Sequence, residues 1–209
     1  MAIMKNGIMG GFSGKVGTVV GYKLKGKDVM RGKPKKRRGK PSPKEQDNRE
    51  KFGYVQLWLK PLTDFLRVGF NNYHPNYQGF VAAKSYQLTH VVKKVEEKYF
   101  IDPAQALVSF GSLSPATEAS VLAGKPASLT FNWKGGKYHY DERTMILVYD
   151  IANERAYYDT AAVKRSAGTY ALELTKSYSG KEVHVYLAFV SDDRKNQSNS
   201  QYLGAVTVL

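Results

Sequence analysis

From Val16 onward the chain alternates: Val16, Thr18, Val20, Tyr22 and Leu24 fall on one side of an extended backbone, and Gly17, Val19, Gly21, Lys23 and Lys25 fall on the other. That period of two predicts a strand over residues 16–24. Lys25, Gly26, Lys27 and Asp28 supply a turn, and "DVMR" reads as the return strand of a hairpin. Gly17 and Gly21 leave one face nearly bare. Two glycines at that spacing imply close approach by another backbone or by a bulky ring.

Beyond residue 42 the period becomes helical. Ser42, Pro43, Lys44 and Glu45 match a capping box with proline at the first helical position, where its missing N–H costs nothing. Phe52, Val55, Leu59, Leu62 and Leu66 then recur at spacings of three and four, which places them on one stripe. Pro61 is expected to kink or split this helix. After the break "NNYHPNY" a further helix is expected over residues 77–92, with Phe80, Ala83, Gln87 and Val91 near one face.

After Asp102 and Pro103 the pattern shortens into "ALVSFGSL", "PASLTFNW", "TMILVYDI", "RAYYDTAAV", "GTYALELT", "EVHVYLAFVS" and "YLGAVTVL", β-rich runs divided by Gly, Asn, Asp and Ser. Seven such runs predict an antiparallel β-sandwich of immunoglobulin-like type, with Trp133 and Tyr186 as large core aromatics. Without a cysteine pair the fibronectin type III variety is expected. The fold class is therefore α+β: a glycine-rich hairpin and basic arm over residues 1–42, a helical subdomain over 43–101, and the sandwich over 102–209.

Composition agrees with a folded chain. The 209 residues are 42% hydrophobic and 12% aromatic, and none is cysteine, which excludes disulfides and thiolate metal sites. No apolar stretch approaches a membrane span, and the start lacks an unbroken apolar signal region, so a cytoplasmic protein is expected, with release by a non-standard route left open. Charge changes the picture more. Residues 1–42 carry twelve Lys and Arg against Asp28 alone, whereas residues 61–209 carry sixteen basic and fourteen acidic groups. The positive field belongs to the N-terminal arm and suits either a polyanion or solvation.

Catalytic chemistry finds little footing. Residues 21–27 match the first seven positions of a phosphate loop, but Asp28 replaces the required hydroxyl, and strand-turn-strand replaces strand-loop-helix. "GFSG" lacks the spacing of a nucleophile elbow. His74, His90, His139 and His184 are scattered. His139, beside Asp141 and Glu142, could do acid–base work, yet a polar loop between two sandwich strands accounts for the same residues. His184, between two valines of a strand, is expected to face solvent. No catalytic residue, metal or cofactor is assigned.

The run "GIMGGFSGKVGTVVGYKLKGKDVMRGKPK", followed by "SPKEQDNREKFGYVQLWLKPLTDFLRVGF", resembles a family of uncharacterised Bacteroidetes proteins with an "ILGGFSGKVGTVVG" type of start, a "KG…MR" return, a proline-rich basic stretch and a helix. The likeness is specific over roughly residues 7–70 and looser across the sandwich. It implies that the glycine stretch is a defining structural element, and it lends no activity. The run "KPKKRR" is more basic than the family's usual form, which argues against DNA binding as a common role.

Two functions remain. The first is a non-enzymatic structural protein that self-associates into an oligomer or filament through the arm, with Gly14, Gly17, Val19, Gly21 and Tyr22 at the contact. The second is sequence-independent nucleic-acid binding through Lys33, Lys35, Lys36, Arg37, Arg38 and Lys40. Tyr22 with its flanking lysines would then add a stacking platform, or would simply pack on the helices.

Overall fold

A computed structural model describes residues 2–4, 10–24, 26–35, 39–75 and 77–209. They divide into two compact units, residues 1–42 and 43–209. Within residues 43–209 the buried residues of the helices and one face of the sandwich share a common cluster.

The first unit is a four-stranded antiparallel meander of β1 (Ala2–Met4), β2 (Phe12–Val16), β3 (Val19–Leu24) and β4 (Lys27–Gly32), in that spatial order. β3 and β4 are the expected hairpin. The continuous strand expected over residues 16–24 is corrected, because Val16 pairs with Val19 and the chain reverses at Gly17 and Thr18. Gly17 has φ +52°, which a glycine adopts freely and an L side chain rarely does. Glycine at the first central position of a two-residue turn matches the twist of the flanking strands.

The second unit begins with α1 (Pro43–Leu59), starting at the proline as the capping pattern predicts. Pro61 has no N–H to continue the α ladder, so residues 60–62 tighten into a 3-10 turn before α2 (Thr63–Gly69). Val55, Leu59, Leu62 and Leu66 of the predicted stripe are fully buried, whereas Phe52 lies half exposed beneath the Lys84 ammonium, 4.0 Å from its ring centre. The second expected helix is α3 (Gly79–Tyr86), continued by a π-helical turn over residues 87–91. A short hairpin of β5 (Lys93–Val95) and β6 (Lys98–Phe100) follows, tied to α1 by a Lys94–Asp47 ion pair of 2.8 Å.

The sandwich comprises β7 (Glu118–Lys125), β8 (Ser128–Lys134), β9 (Arg143–Asp150), β10 (Arg155–Asp159), β11 (Thr169–Glu173), β12 (Glu182–Val190) and β13 (Gln201–Thr207). A three-stranded sheet, β11-β8-β7, faces a four-stranded sheet, β10-β9-β12-β13, with all pairs antiparallel. Six of the seven predicted runs contain these strands. The first, "ALVSFGSL", is corrected: residues 106–113 form no strand but a strap whose backbone bonds go to a helix end and a loop. Phe110 N–H donates to Gly69 O, Leu113 N–H to Gln197 O, and the Ser109 hydroxyl to Ser198 O. The true first strand, "EASVLAGK", turns the small residues Ala119, Val121 and Ala123 inward and leaves Leu122 exposed.

The four-stranded sheet is covered on both faces. Ile146, Val148, Val183, Val185, Leu187 and Phe189 meet the facing sheet. Met145, Leu147, Tyr149, Tyr186, Ala188 and Val190 lie under the helices with Val55, Trp58, Leu59 and Phe65. Two-sided burial is the physical reason why β9 and β12 read as nearly continuous apolar runs. It also places Tyr186 on the helical side, where its hydroxyl donates to Pro103 O at 2.7 Å, while Trp133 sits between the sheets. Among the described residues, no helix is long and apolar enough to cross a membrane.

Candidate functional site

The N-terminal sheet carries the residues expected to make contacts with a partner. In register, Gly14 faces Gly21 and Gly21 faces Met30, while Tyr22 faces Val29 and Val20 faces Arg31. Strand alternation therefore places Phe12, Gly14, Val16, Val19, Gly21 and Met30 on one face and Lys15, Val20, Tyr22, Leu24, Val29 and Arg31 on the other.

Gly21 alone is buried among the described residues of this unit. A Cβ there would meet the Phe12 carbonyl oxygen and stand 2.7 Å from the Phe12 ring. The close approach that the glycine pair implied is thus real at Gly21, and its source lies within the same sheet. At Gly17 a Cβ would meet open space, so the turn conformation accounts for that glycine. The bare strand face spanning both positions does not form.

The sheet exposes large apolar side chains beside its charged ones: Val16 and Leu24 are 54% exposed and Met30 66% exposed, Val16 and Met30 on the first face and Leu24 on the second. On the second face the Arg31 guanidinium lies 5.6 Å from the centre of the Tyr22 ring, a cation–π contact within the sheet. Past β4 the chain is tethered once more, by Lys33 N–H donating to Thr18 O at 2.7 Å. Lys33 and Lys35 are exposed in irregular backbone, and Lys40 is exposed beyond them. Lys36, Arg37 and Arg38 lie outside the described residues.

Two of the histidine candidates, His139 and His184, have defined hydrogen-bond partners. Glu142 is buried and pairs with the buried Arg165 at 2.8 Å, and its other oxygen accepts the His139 N–H at 3.0 Å. The same guanidinium donates to the carbonyls of Ser114, Pro115 and Gly135, so one arginine ties three segments at one end of the sandwich. His184 does not simply face solvent, because its Nδ1 shares a 2.8 Å hydrogen bond with the Tyr202 hydroxyl. Burial pushes the imidazole pKa below its ordinary value, against the opposing pull of Glu182 and Asp102. Among the described residues, no group of three His, Asp or Glu side chains gathers as a metal site. The Gly21–Lys27 pattern lies in strand-turn-strand, with no helix N-terminus to receive a phosphate.

Three strands facing four in this order, without a disulfide, define a fibronectin III-like sandwich. The chain belongs to DUF6266, a family of unknown function, whose model matches residues 11–204. A search of curated proteins finds no match. Among solved structures, the chain is similar to the fn3 domain of human collagen alpha-1(XX) chain, at 12% identity and TM-score 0.36, covering 46% of this chain and 86% of that one. It is also similar to the FN1-FN3 domains of chicken CNTN1, at 13% identity and TM-score 0.38, covering 48% of this chain and 34% of that one. A third, described as a myokine structure, matches at 15% identity and TM-score 0.35, over 46% of this chain and 98% of that one.

Proposed function

We propose that this is a non-enzymatic structural protein that self-associates into an oligomer or filament through its N-terminal sheet, with the sandwich as the repeating body. The observation that carries this reading is the exposure of Val16, Leu24 and Met30 on a four-stranded sheet in which Gly21 alone is buried among the described residues. A sheet that small gains little from its own packing, and covering its apolar positions on a neighbour supplies the missing burial. The outer edge of β4, which pairs with β3 on one side only, offers backbone groups to a further strand. Light scattering of the nuclease-treated protein tests the reading. Association that grows with concentration and is lost on removal of residues 1–42 is expected, and a strict monomer up to millimolar concentration would overturn it.

A second reading, sequence-independent binding of nucleic acid, is favoured by the Arg31–Tyr22 contact on the face that also carries Lys15. Fluorescence anisotropy with random-sequence DNA separates the two. Phosphate neutralisation predicts affinity that falls steeply with salt, and replacing Lys35, Lys36, Arg37 and Arg38 by Ser would then reduce the logarithmic slope by up to about 3.6, at about 0.9 per contact. No binding at low salt removes this reading.

A further inference from the structure

Two loops meet at one end of the sandwich, residues 135–142 between β8 and β9 and residues 191–200 between β12 and β13. Between them lies an open cleft of about 290 Å³ whose walls include His139, Tyr140 and Asp141 on one side and Ser191, Asp193 and Asn196 on the other. Small-molecule sites run from about 300 to 1,000 Å³, so this volume suits a single side chain of a partner.

The first loop is held from beneath. Arg165 bonds Gly135 O at its start and the Glu142 carboxylate at its end, and Glu142 accepts the His139 N–H. Above these clamps Tyr140 stands 83% exposed. A large amphipathic ring with few torsions, set on a loop anchored at both ends, makes contact at low entropic cost.

The chemistry of the cleft selects a cation. Tyr140 offers a π face, and the Asp141 and Asp193 carboxylates supply charge, Asp193 being shared with the Ser191 hydroxyl and Lys195. The same end of the sandwich already holds a guanidinium against aromatic rings, since Arg165 lies 3.8 Å from the Phe189 centre and 5.1 Å from that of Tyr138.

We infer that this cleft receives a lysine side chain from the segment 33–40 of a second copy of the chain, an inference that rests on the self-association reading. The segment "KPKKRRGK" concentrates charge opposite in sign to the two carboxylates. Pro34, and Pro41 just after the segment, remove backbone donors at both ends, so the stretch is poorly suited to adding as a strand and is recognised through its side chains.

Carbodiimide coupling, which joins a carboxylate directly to an amine, tests this on the full chain with isotopically light and heavy copies mixed. The expected product is a light–heavy link between Asp141 or Asp193 and a lysine among 33, 35, 36 and 40. The double variant Tyr140→Ser, Asp141→Asn should weaken association at least tenfold while leaving the thermal midpoint unchanged. Association with no link at this cleft, or with affinity unaltered in the double variant, overturns the inference and leaves self-association standing. A wild-type chain that stays monomeric and yields no light–heavy link overturns both.

Discussion

The Tyr149 hydroxyl donates a 2.8 Å hydrogen bond to the main-chain carbonyl of Trp58, and the two rings meet edge to face at 5.2 Å. One residue lies near the end of β9, on the helix-facing side of the sandwich, and the other near the end of the first helix. The contact makes helices and sheet a single core. Burial pushes the Tyr149 pKa well up, so the hydroxyl remains a donor throughout the ordinary pH range. Tyr149→Phe is expected to cost about 1 kcal/mol as a lost buried hydrogen bond. Tyr149→Ala should cost about 3–5 kcal/mol through the cavity it leaves. Urea denaturation, followed by far-UV dichroism for the helices and tryptophan fluorescence, should show one coincident transition in both variants. Separate transitions would mean that the helices fold apart from the sandwich.

Removing residues 1–42 should leave the remainder folded, because the buried residues of the helical and sandwich cores all lie beyond residue 43. The thermal midpoint of the truncated chain should stay within a few degrees of the full chain at a protein concentration low enough to suppress association. Collapse of the near-ultraviolet dichroism on truncation would contradict the two-unit division.

Within the N-terminal sheet the two central glycines should respond differently. Gly21→Val places a side chain against the Phe12 carbonyl and ring, whereas Gly17→Asn keeps a residue that tolerates positive φ and meets open space. Amide exchange of β2 and β3 should accelerate markedly in Gly21→Val and change little in Gly17→Asn. Equal exchange in both variants would show that the Phe12 contact does not hold the sheet.

The Arg165–Glu142 pair should be costly to break from one side. Glu142→Ala leaves a buried guanidinium without its counter-charge, a loss of about 3–5 kcal/mol by the usual behaviour of such pairs. The double variant Arg165→Met, Glu142→Leu should recover much of that loss, since it buries no charge. Denaturation of the two variants checks this, and equal destabilisation would mean that the carbonyl contacts of Arg165 matter more than the ion pair.

His184 should give stability a pH dependence. Its folded pKa lies below the ordinary 6.5, so the unfolded chain binds the proton more readily. The contribution is fully present above about pH 6.5 and is lost as pH falls from there through the folded pKa. Urea midpoints measured from pH 7.5 down to 5 should decline less steeply in His184→Gln than in the wild type. Parallel declines would assign the effect to other groups.

The strands after residue 125, the helix start at Pro43 and its break at Pro61 were legible because each rests on local covalent geometry or a short apolar period. Those signals do not depend on what lies across the core. The strap over residues 106–113 misled because burial between helices and loop needs the same apolar residues as a strand. β7 was hidden because its inward residues are mostly small. In the arm, local sequence marked the turn before Asp28 and the need for glycine at residue 21, whereas the reversal at Gly17 and Thr18 was hidden by an alternation that runs unbroken through it. Tertiary structure alone decided that Phe12 fills the space at Gly21, that Tyr186 faces the helices, and that Glu142 binds Arg165 and the His139 main chain and not the His139 imidazole. These outcomes depend on which groups meet across long stretches of chain, and periodicity records that a side chain is buried without recording what buries it.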